Sequence, residues 1–330
     1  MASKALNNPI SEFDLIARFF THPERSHPQL SLGIGDDCAL LRPTPGMEMA
    51  ISSDMLVEGR HFLAGADPQK LGHKCLAVNL SDLAAMGARP LGFTLAFSLP
   101  QADEAWLAGF ADGLFALADA HDCALIGGDT TRGPLNICIT IFGETPPGQA
   151  LRRDTAQLRD DIWISGTLGD ARLALAGLRQ EVALDAASQC AAAIRLDTPT
   201  PRVALGLALR GIVHAAIDIS DGLSGDLGHI LQRSNCGAHI NLDALPLGPI
   251  LTRQLQALQR QFALTGGDDY ELCFTAATAQ RAAVLAAAHA AGTAVTRVGS
   301  IEPEAGLRLV DASGARLDLQ YSSFDHFTSP

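Results

Sequence analysis

The sequence predicts a two-domain protein of the α/β (α+β) class. Its 330 residues are 47% hydrophobic and 18% charged, which is typical of a soluble chain that buries one large core or two ordinary ones. Strand-like and helix-like segments alternate along both halves. Between the halves, the stretch GETPPGQA (143–150) has two prolines and two glycines and favours a linker. We therefore expect domains at 1–147 and 148–330.

Helices in the first half are expected at three places. The start SEFD favours a helix over 11–20. Apolar residues at helical spacing predict a second helix over 68–86, which stops at Gly87, and a third helix follows Pro100. Strands are expected around 48–53, 91–98, 123–127 and 136–143.

The second half repeats the order strand, glycine turn, helix. DIWISGTLGDARLALAGL has this order, and AIDISDGLSGDLGHILQRS has it again. The alanine-rich stretch 276–291 predicts a helix, and a strand is expected at 294–300. We therefore expect a second α/β block.

Charge and cysteine content argue against several classes of protein. The net charge of −12 disfavours a nucleic-acid groove, which needs clustered Lys and Arg. Seven cysteines occur without a CxxC pair, so we expect buried reduced thiols. Charged residues interrupt the N-terminal apolar stretch, and no apolar run is long enough to span a membrane. We therefore expect a cytoplasmic protein without nucleic-acid or membrane partners.

Six short segments rich in glycine or serine carry the most informative residues, which are aspartates. The segments are GIGDDCAL, ISSDML, NLSDLAAMG, LIGGDTTRG, AIDISDGL and LTGGDDYEL. Their acids are Asp36, Asp37, Asp54, Asp82, Asp129, Asp218, Asp221, Asp268 and Asp269. These acids follow apolar or glycine runs, where desolvating an unpaired carboxylate is costly, so they do not resemble a solvated acidic surface. The pattern predicts that several cations gather them around a phosphate.

The first two segments offer oxygen ligands to a hard cation. A glycine-rich turn places Asp36 and Asp37 side by side, so one acid can reach a metal while the other bonds backbone amides. An ordinary aspartate turn is the alternative. Ser52, Ser53 and Asp54 are expected at the end of an apolar strand. There, hydroxyl, carbonyl and carboxylate oxygens can meet one cation, or simply cap the strand.

Two further residues allow a functional and a structural interpretation. The ring of His61, in VEGRHF, can donate to a phosphate or satisfy a local backbone group. Asp82 is expected near the carboxyl end of its helix, where the helix dipole disfavours a negative charge. A nearby metal would relieve this effect, and so would Lys74 or Arg89.

The segment LIGGDTTRG combines features of a phosphate site and a metal site. Its strand is expected to lead into a turn at Gly127 and Gly128, where backbone amides can approach an anion, and Asp129 follows. The Gly-Lys-Ser/Thr ending of a P-loop is missing, which disfavours an ordinary P-loop NTPase. Arg152 and Arg153 can clamp a polyphosphate or form an ordinary exposed pair.

The last two segments lie in the second half. Asp218 and Ser220 are expected on one face of a strand, with Asp221 at the following corner. In TGGDDYEL, a Gly-Gly turn precedes acids near the start of a strand or helix, and these acids are Asp268, Asp269 and Glu271. Each segment alone is a weak signal, whereas six together favour one shared site.

Together, GIGDDCALL, ISSDMLVEGRHF, AVNLSDLAAMGA, LIGGDTTRGPL, AIDISDGLSGDLGHI and LTGGDDYELCF closely resemble the thiamine-monophosphate kinases of the AIR-synthetase-like (PurM-like) superfamily. The resemblance extends from SEFDLIARFF to FDHF in the same order and spacing. It implies that the chain uses ATP to convert thiamine monophosphate to thiamine diphosphate. It also implies an N-terminal domain whose sheet forms a β-barrel across a homodimer, and a C-terminal α/β domain.

The resemblance further implies a role for each matching residue. The implied ligands of several Mg²⁺ ions are Asp37, Ser52, Ser53, Asp54, Asp82, Asp129, Asp218 and Asp221. The implied nucleotide contacts are Gly128, Asp129, Arg153 and Ser220. The implied substrate contacts are His61, Asp268 and Tyr321. Relatives often carry Glu and Trp at the last two positions. Asp54, Asp129 and Asp218 form the expected catalytic set.

The implied mechanism is in-line attack by a phosphate oxygen of thiamine monophosphate on the γ-phosphorus of ATP, with magnesium neutralising and aligning the two anions. Selenophosphate synthetase, hydrogenase-maturation carbamoyl dehydratase and AIR synthetase share the ATP-binding acids but differ in the acceptor. The chain lacks the C-terminal cysteine of the maturation protein and the reactive N-terminal residue of a selenophosphate enzyme. The alternatives are another superfamily enzyme with a different acceptor, or a non-catalytic module that binds divalent cations.

Overall fold

The computed structural model describes residues 11–21 and 27–317, and the chain divides into two compact units. The first unit consists of the described residues of Met1–Pro45, Ile51–Asn79 and Pro90–Phe142. The second consists of Gly46–Ala50, Leu80–Arg89 and the described residues of Gly143–Pro330.

The amino-terminal elements surround a four-stranded sheet. In chain order they are α1 (Glu12–Leu15), β1 (Leu30–Leu32), β2 (Leu40–Leu41), β3 (Glu48–Val57), α2 (Pro68–Ala85), β4 (Arg89–Leu99), α3 (Glu104–Ala120), β5 (Ala124–Arg132) and β6 (Asn136–Thr145). The strand order is β3-β6-β4-β5, so β3 and β5 are the outer strands of this sheet. β4 and β5 are parallel. Every second side chain of β6 is buried between Ile137 and Ile141, which gives the sheet one buried face.

Helix α3 shows how the sequence fixes the packing of this unit. The Asp103 carboxylate caps its first turn, and Leu107 and Leu114 lie on its buried face at helical spacing. The helix approaches α2 so closely that a Cβ at Gly113 would lie 1.8 Å from the carbonyl oxygen of Gln69. A larger residue at position 113 would therefore force the two helices apart.

The carboxyl-terminal elements form a six-stranded sheet with helices. They are β7 (Asp161–Ser165), α4 (Asp170–Leu178), α5 (Ala186–Asp197), α6 (Val203–Ala208), β8 (Ala215–Ile219), α7 (Leu223–Arg233), β9 (Gly237–Asn241), α8 (Gln256–Thr265), β10 (Glu271–Ala276), α9 (Arg281–Ala290), β11 (Val295–Glu302) and β12 (Gly306–Val310). The strand order is β12-β9-β11-β7-β10-β8. β9 and β12 are parallel, and the other neighbouring strands are antiparallel.

The core of the second unit lies against this sheet. All residues of β7, β8 and β10 are buried, which explains why their sequences read as nearly continuous apolar runs. In β10, Cys273 pairs with Ile164 on one side and Ile217 on the other. Helices α4, α7 and α8 contribute further buried side chains to the same cluster, including Leu173, Leu227 and Phe262.

Several element predictions need correction. The helices expected over 68–86 and after Pro100 are confirmed as α2 and α3. The helix expected over 11–20 is α-helical only to Leu15 and continues as a π-helical turn, Ile16–Phe20. The helix expected over 276–291 begins later, because Ala276 ends β10 and α9 starts at Arg281. Pairing of Ala276 with Asp161 in β7 overrides the helix propensity of the alanine there.

Both units combine helices with β-sheet, so the α/β class is confirmed. None of the sheets formed by the described residues closes into a barrel within the chain. Every helix within 11–21 and 27–317 is too short or too polar to cross a membrane. The domain boundary expected between 147 and 148 stays a prediction.

Candidate phosphoryl-transfer site

The strand β3 carries Ser52, Ser53 and Asp54 in its middle and not at its end. The strand was expected to stop near residue 53, but it continues to Val57. The reason is that the alternation of more and less exposed residues persists through the apolar residues that follow Asp54.

Alternation along β3 separates the two serines. Ser52 and Asp54 lie on one face, and Ser53 lies on the other, next to β6 residues. The Ser53 hydroxyl donates to the carbonyl oxygen of Ile139 at 3.2 Å and lies 3.0 Å from the Thr140 hydroxyl. Ser53 can therefore approach a cation on the Asp54 face only through its backbone carbonyl oxygen.

Asp129 also lies within a strand. A turn was expected at Gly127 and Gly128, but both residues and Asp129 belong to β5 and pair with β4. At Gly128 a Cβ would lie 1.8 Å from the carbonyl oxygen of Leu95, the residue opposite. The glycine is therefore required by the close approach of two strands, whether or not it also contacts a nucleotide.

Asp54 and Asp129 lie on opposite edges of the four-stranded sheet. β6 and β4 separate their strands, so their backbones are at least three interstrand spacings, or about 14 Å, apart. Carboxylate oxygens bind hard cations at only about 2.0–2.6 Å, and an aspartate side chain is short. Within one sheet these two acids therefore cannot share a metal ion.

The turn at Asp36 and the ring of His61 complete the first unit's candidates. Asp36 accepts the backbone N–H of Asp37 at 2.9 Å, which leaves the two adjacent acids with different environments. The Nδ1 atom of His61 accepts the backbone N–H of Val57 at 3.0 Å. In the neutral ring, Nε2 therefore carries the proton and acts as a donor.

In the second unit, two distant acidic segments meet. Asp82 lies near the end of α2, as expected, and Asp218 lies in β8. The hydroxyl of Ser81 donates to Oδ2 of Asp218 at 2.8 Å. Burial raises the pKa of Asp218 to about 7, and repulsion from Asp82 contributes, although Ser81 and the positive charge of Arg153 act in the opposite direction.

The loop after β8 is organised by a carboxylate that we did not single out from the sequence. Oδ2 of Asp226 accepts the backbone N–H groups of Ser220, Asp221 and Gly222, each at 3.1 Å. Burial raises the pKa of Asp226 to about 7, with repulsion from Asp218 and Asp221 adding to the effect. The segment IDISDGLSGD therefore concentrates three carboxyl groups within a few residues.

The segment TGGDDYEL leads into a strand, β10, and pairs with the β8 loop. The backbone N–H of Asp268 donates to the carbonyl oxygen of Ser220 at 2.9 Å, and the backbone N–H of Tyr270 donates to the carbonyl oxygen of Ile219 at 2.8 Å. Asp268 and Tyr270 have positive φ angles of 67° and 49°. Such backbone geometry is uncommon for residues other than glycine and needs support from the surroundings.

Glu271 and Asp269 support this segment from the interior. Glu271 is fully buried and accepts hydrogen bonds from Ser165, Arg195 and Arg202 at 2.5–2.7 Å. Arg195 also donates to the carbonyl oxygen of Asp269. Both side-chain oxygens of Asp269 accept the N–H of Gly169, and burial raises its pKa well above the usual value. These two acids are held inside the protein.

The arginines near the candidate site differ in their surroundings. Arg152 is paired with Asp154 through two hydrogen bonds of 2.8 and 2.5 Å. Arg89, considered as a cation for Asp82, forms an ion pair with Glu144. Arg153 is the arginine whose positive charge acts on Asp218.

The donor set in the second unit fits a hard divalent cation. Among the described residues, no group of three His, Cys, Asp or Glu side chains is close enough to hold a metal ion on its own. Asp82 and Asp218 nevertheless repel one another, and Asp218 is buried. A cation between these carboxylates would relieve that repulsion and offset the burial of charge.

Two residues that organise the site, Ser81 and Asp226, were not singled out from the sequence. Ser81 directly precedes Asp82 in NLSDLAAMG, and a hydroxyl next to an acid within an apolar segment was the available signal. Asp226 lies in the first turn of the helix after the IDISDG corner, where acids often bind free amides. Tyr321 lies outside the described residues.

Comparison with known proteins identifies the family. Residues 35–145 match the N-terminal domain, and residues 160–312 the C-terminal domain, of the AIR synthase related proteins. A thiamine-monophosphate kinase of Salmonella typhimurium is 46% identical over 324 residues, covering 97% of this chain and 99% of that protein.

Two solved structures are also similar. A thiamine-monophosphate kinase from Stenotrophomonas maltophilia has 50% identity and a TM-score of 0.85, covering 93% of this chain and 98% of that one. AaThiL, complexed with AMPPCP and TMP, has 29% identity and a TM-score of 0.75, covering 89% and 92%. The chain therefore belongs to the thiamine-monophosphate kinases, within the AIR synthase related proteins.

Proposed function

We propose that this chain transfers the γ-phosphoryl group of ATP to thiamine monophosphate and so forms thiamine diphosphate. The observation that carries this proposal is the similarity to thiamine-monophosphate kinases over nearly the full length of both chains. The six acidic segments supply the oxygen ligands that such a reaction needs.

We further propose that the reaction depends on several Mg²⁺ ions. Their ligands are Asp37, Ser52, Ser53 through its carbonyl oxygen, Asp54, Asp82, Asp129, Asp218 and Asp221. Bound Mg²⁺ would neutralise the phosphate oxygens that carry negative charge in the transition state. The buried position of Asp218 beside Asp82 supports this assignment.

The remaining residues bind and orient the two substrates. Arg153 and Ser220 are proposed to contact the nucleotide, together with Gly128 and Asp129. His61 presents an Nε2–H that can donate to a phosphate oxygen, because its Nδ1 accepts the Val57 amide. Asp268 offers a negative charge to the cationic thiazolium, and Tyr321 offers an aromatic face.

A homodimer is the second part of the proposal. The face of β3 that carries Ser53 also exposes Ile51 and Met55, which retain 62% and 53% of their accessible surface. Exposed apolar side chains on an outer strand favour pairing with another copy. Two four-stranded sheets joined at both edges would form a barrel with β5 of one subunit beside β3 of its partner. Asp129 would then lie near the partner subunit's Asp54, which overcomes their separation within one chain.

Co-purified mixed dimers test this arrangement. Asp54→Asn and Asp129→Asn chains carry different tags, and dimers with one of each are isolated. If the two acids act across the interface, one of the two sites keeps both carboxylates, and the mixed dimer recovers about half of the wild-type turnover. Mixed dimers as inactive as each parent would contradict the shared site. Differently tagged copies of Asp54→Asn are the matched control and stay inactive.

The activity itself is tested by measuring ADP release from ATP and Mg²⁺ with and without thiamine monophosphate, while thiamine diphosphate is followed by chromatography. One diphosphate per ADP supports the proposal. ADP release without that product would indicate another acceptor, and bound magnesium without ADP would favour the non-catalytic module. Asp54→Asn and Asp129→Asn should each lose most turnover while keeping the wild-type unfolding temperature.

Two further proposals concern location and organisation. We propose that the protein is cytoplasmic, which is consistent with the absence of disulfides among its seven cysteines in the structure. We also propose the boundary between residues 147 and 148 as the point where the two domains are joined. Limited proteolysis that cleaves elsewhere first would contradict this boundary.

A further inference from the structure

The carboxylate of Asp226 has an unusual position for a buried acid. Only 4% of the residue is exposed, and it lies in the first turn of α7. One oxygen accepts three consecutive backbone amides, those of Ser220, Asp221 and Gly222. Consecutive amides that converge on one point form an anion-binding nest. Here the protein's own carboxylate occupies the nest.

This occupation has a consequence for phosphate binding. A loop that joins a strand to a helix commonly binds a phosphate through its free amides. The amides of Ser220–Gly222 are already engaged, so they are not available to ATP. The loop must instead act through its side chains, which include those of Ser220 and Asp221. Their directions depend on how firmly Asp226 holds the loop.

The same loop also holds the segment before β10. The Ser220 carbonyl oxygen accepts the Asp268 amide, and a Cβ at Gly267 would lie 2.5 Å from that oxygen. Asp268 and Tyr270 keep positive φ angles, which need an external restraint. The loop at 220–222 and the segment at 267–270 therefore form one hydrogen-bonded block.

We propose that Asp226 is a positioning residue that aligns both substrates through this block. It fixes the loop bearing Ser220 and Asp221, and through Ser220 it fixes the backbone of Asp268. This inference rests on the proposed function, in which Ser220 contacts the nucleotide, Asp221 a metal and Asp268 the acceptor. Asp226 itself touches none of the reacting groups.

The test compares Asp226→Asn with Asp160→Asn. Asp160 is also a buried acid of the second unit, and it contacts Thr275, near the far end of β10 from Glu271. Hydrogen–deuterium exchange is measured over 217–223 and 266–271 in the full chain without substrates. kcat and KM are then measured for ATP and for thiamine monophosphate.

For Asp226→Asn we expect faster exchange in both segments. We also expect kcat/KM to fall by about 10- to 100-fold for both substrates, the range seen when groups that orient metal ligands are removed. Asp160→Asn should leave exchange in both segments, and both kcat/KM values, near those of the wild type. Equal losses of kcat/KM in the two variants would mean that removing any buried carboxylate of the second unit has this effect, and they would overturn the proposal. Wild-type exchange over 266–271 in Asp226→Asn would overturn it too.

A second variant covers the case in which Asp226→Asn does not fold. Gly267→Ala leaves Asp226 intact but forces the two segments apart at the Ser220 carbonyl. Gly267→Ala should also show faster exchange in both segments and a lower kcat/KM for both substrates. Exchange and kcat/KM values like those of the wild type would overturn the proposal. The exchange measurement does not depend on catalysis, so a wild-type chain that makes no thiamine diphosphate would contradict the proposed function separately.

Discussion

The hydroxyl of Ser81 donates a 2.8 Å hydrogen bond to the carboxylate of Asp218, although the two residues are 137 positions apart in the chain. Both belong to the second unit, which includes Leu80–Arg89. This contact joins the segment NLSDLAAMG to the segment AIDISDGL. Two of the six acidic segments therefore meet through a serine hydroxyl, and their aspartates lie close enough for mutual repulsion.

Ser81→Ala should destabilise the protein. The variant leaves the buried Asp218 carboxylate without its side-chain donor, and hydrogen bonds to charged groups are worth about 1.5–3 kcal/mol. Urea unfolding in the absence of substrates, at a pH above the Asp218 pKa of about 7, measures this difference. Ser224→Ala is the matched control, because its hydroxyl donates to a neutral carbonyl oxygen, that of Leu264. It should cost about 0.5–1.5 kcal/mol, and a Ser81 variant no worse than this control would contradict the expectation.

Local sequence was enough to predict most elements, because their apolar spacing is determined by burial on one side. The helix bearing Asp82 and the buried strand bearing Asp218 follow directly from such patterns. The acidic segments could also be selected from the sequence as candidate cation-binding residues. Carboxylates beside apolar runs have few stable environments without a cation or hydrogen-bond donors.

The ends of strands could not be predicted, because they depend on partners that are distant in sequence. Gly127 and Gly128 have the composition of a turn, yet β5 continues through them since β4 pairs along its whole length. The same applies to Ala276, where pairing with Asp161 of β7 extends β10 into an alanine-rich stretch. Contacts such as that between Asp226 and the Ser220 amide depend on the three-dimensional path of the loop.

Ser53→Ala should leave turnover nearly unchanged. The Ser53 hydroxyl bonds to β6, on the face of β3 opposite Asp54, so its removal does not affect a metal bound through the carbonyl oxygen. We expect kcat and the Mg²⁺ concentration for half-maximal activity to stay within about threefold of the wild type, a free-energy change under 1 kcal/mol. Ser52→Ala, on the Asp54 face, is the comparison and should require more Mg²⁺. A larger effect at Ser53 than at Ser52 would exclude this assignment of the two faces.

Glu271→Gln should be among the most destabilising conservative substitutions in the second unit. Glu271 is fully buried and balances Arg195 and Arg202, whose side chains are less than one-fifth exposed. Removing one partner of a buried ion pair leaves uncompensated charge and costs about 3–5 kcal/mol. The free energy of unfolding in urea measures the loss. Glu302→Gln removes a partly exposed partner of Arg308 and should cost at most about 1 kcal/mol.

Asp161→Asn should destabilise the protein at neutral pH but not in acid. Burial alone would raise the pKa of Asp161, but hydrogen bonds from Arg281 and Arg297 outweigh it and hold the pKa below its usual value of 3.8. Because the pKa of Asp161 is lower in the folded state, its ionised carboxylate stabilises the protein above pH 3.8. This contribution is lost as the pH falls through the pKa of Asp161 in the folded state.

The two guanidinium groups beside Asp161 are about half exposed, so the loss at pH 7 should be only about 1–2 kcal/mol. Urea unfolding of both proteins between pH 7 and pH 3 tests this, at spacings of about half a pH unit around the usual carboxyl pKa. The difference between wild type and Asp161→Asn should shrink steadily below pH 3.8. A difference that stays constant over the range would show that packing, and not the charge of Asp161, provides the stabilisation.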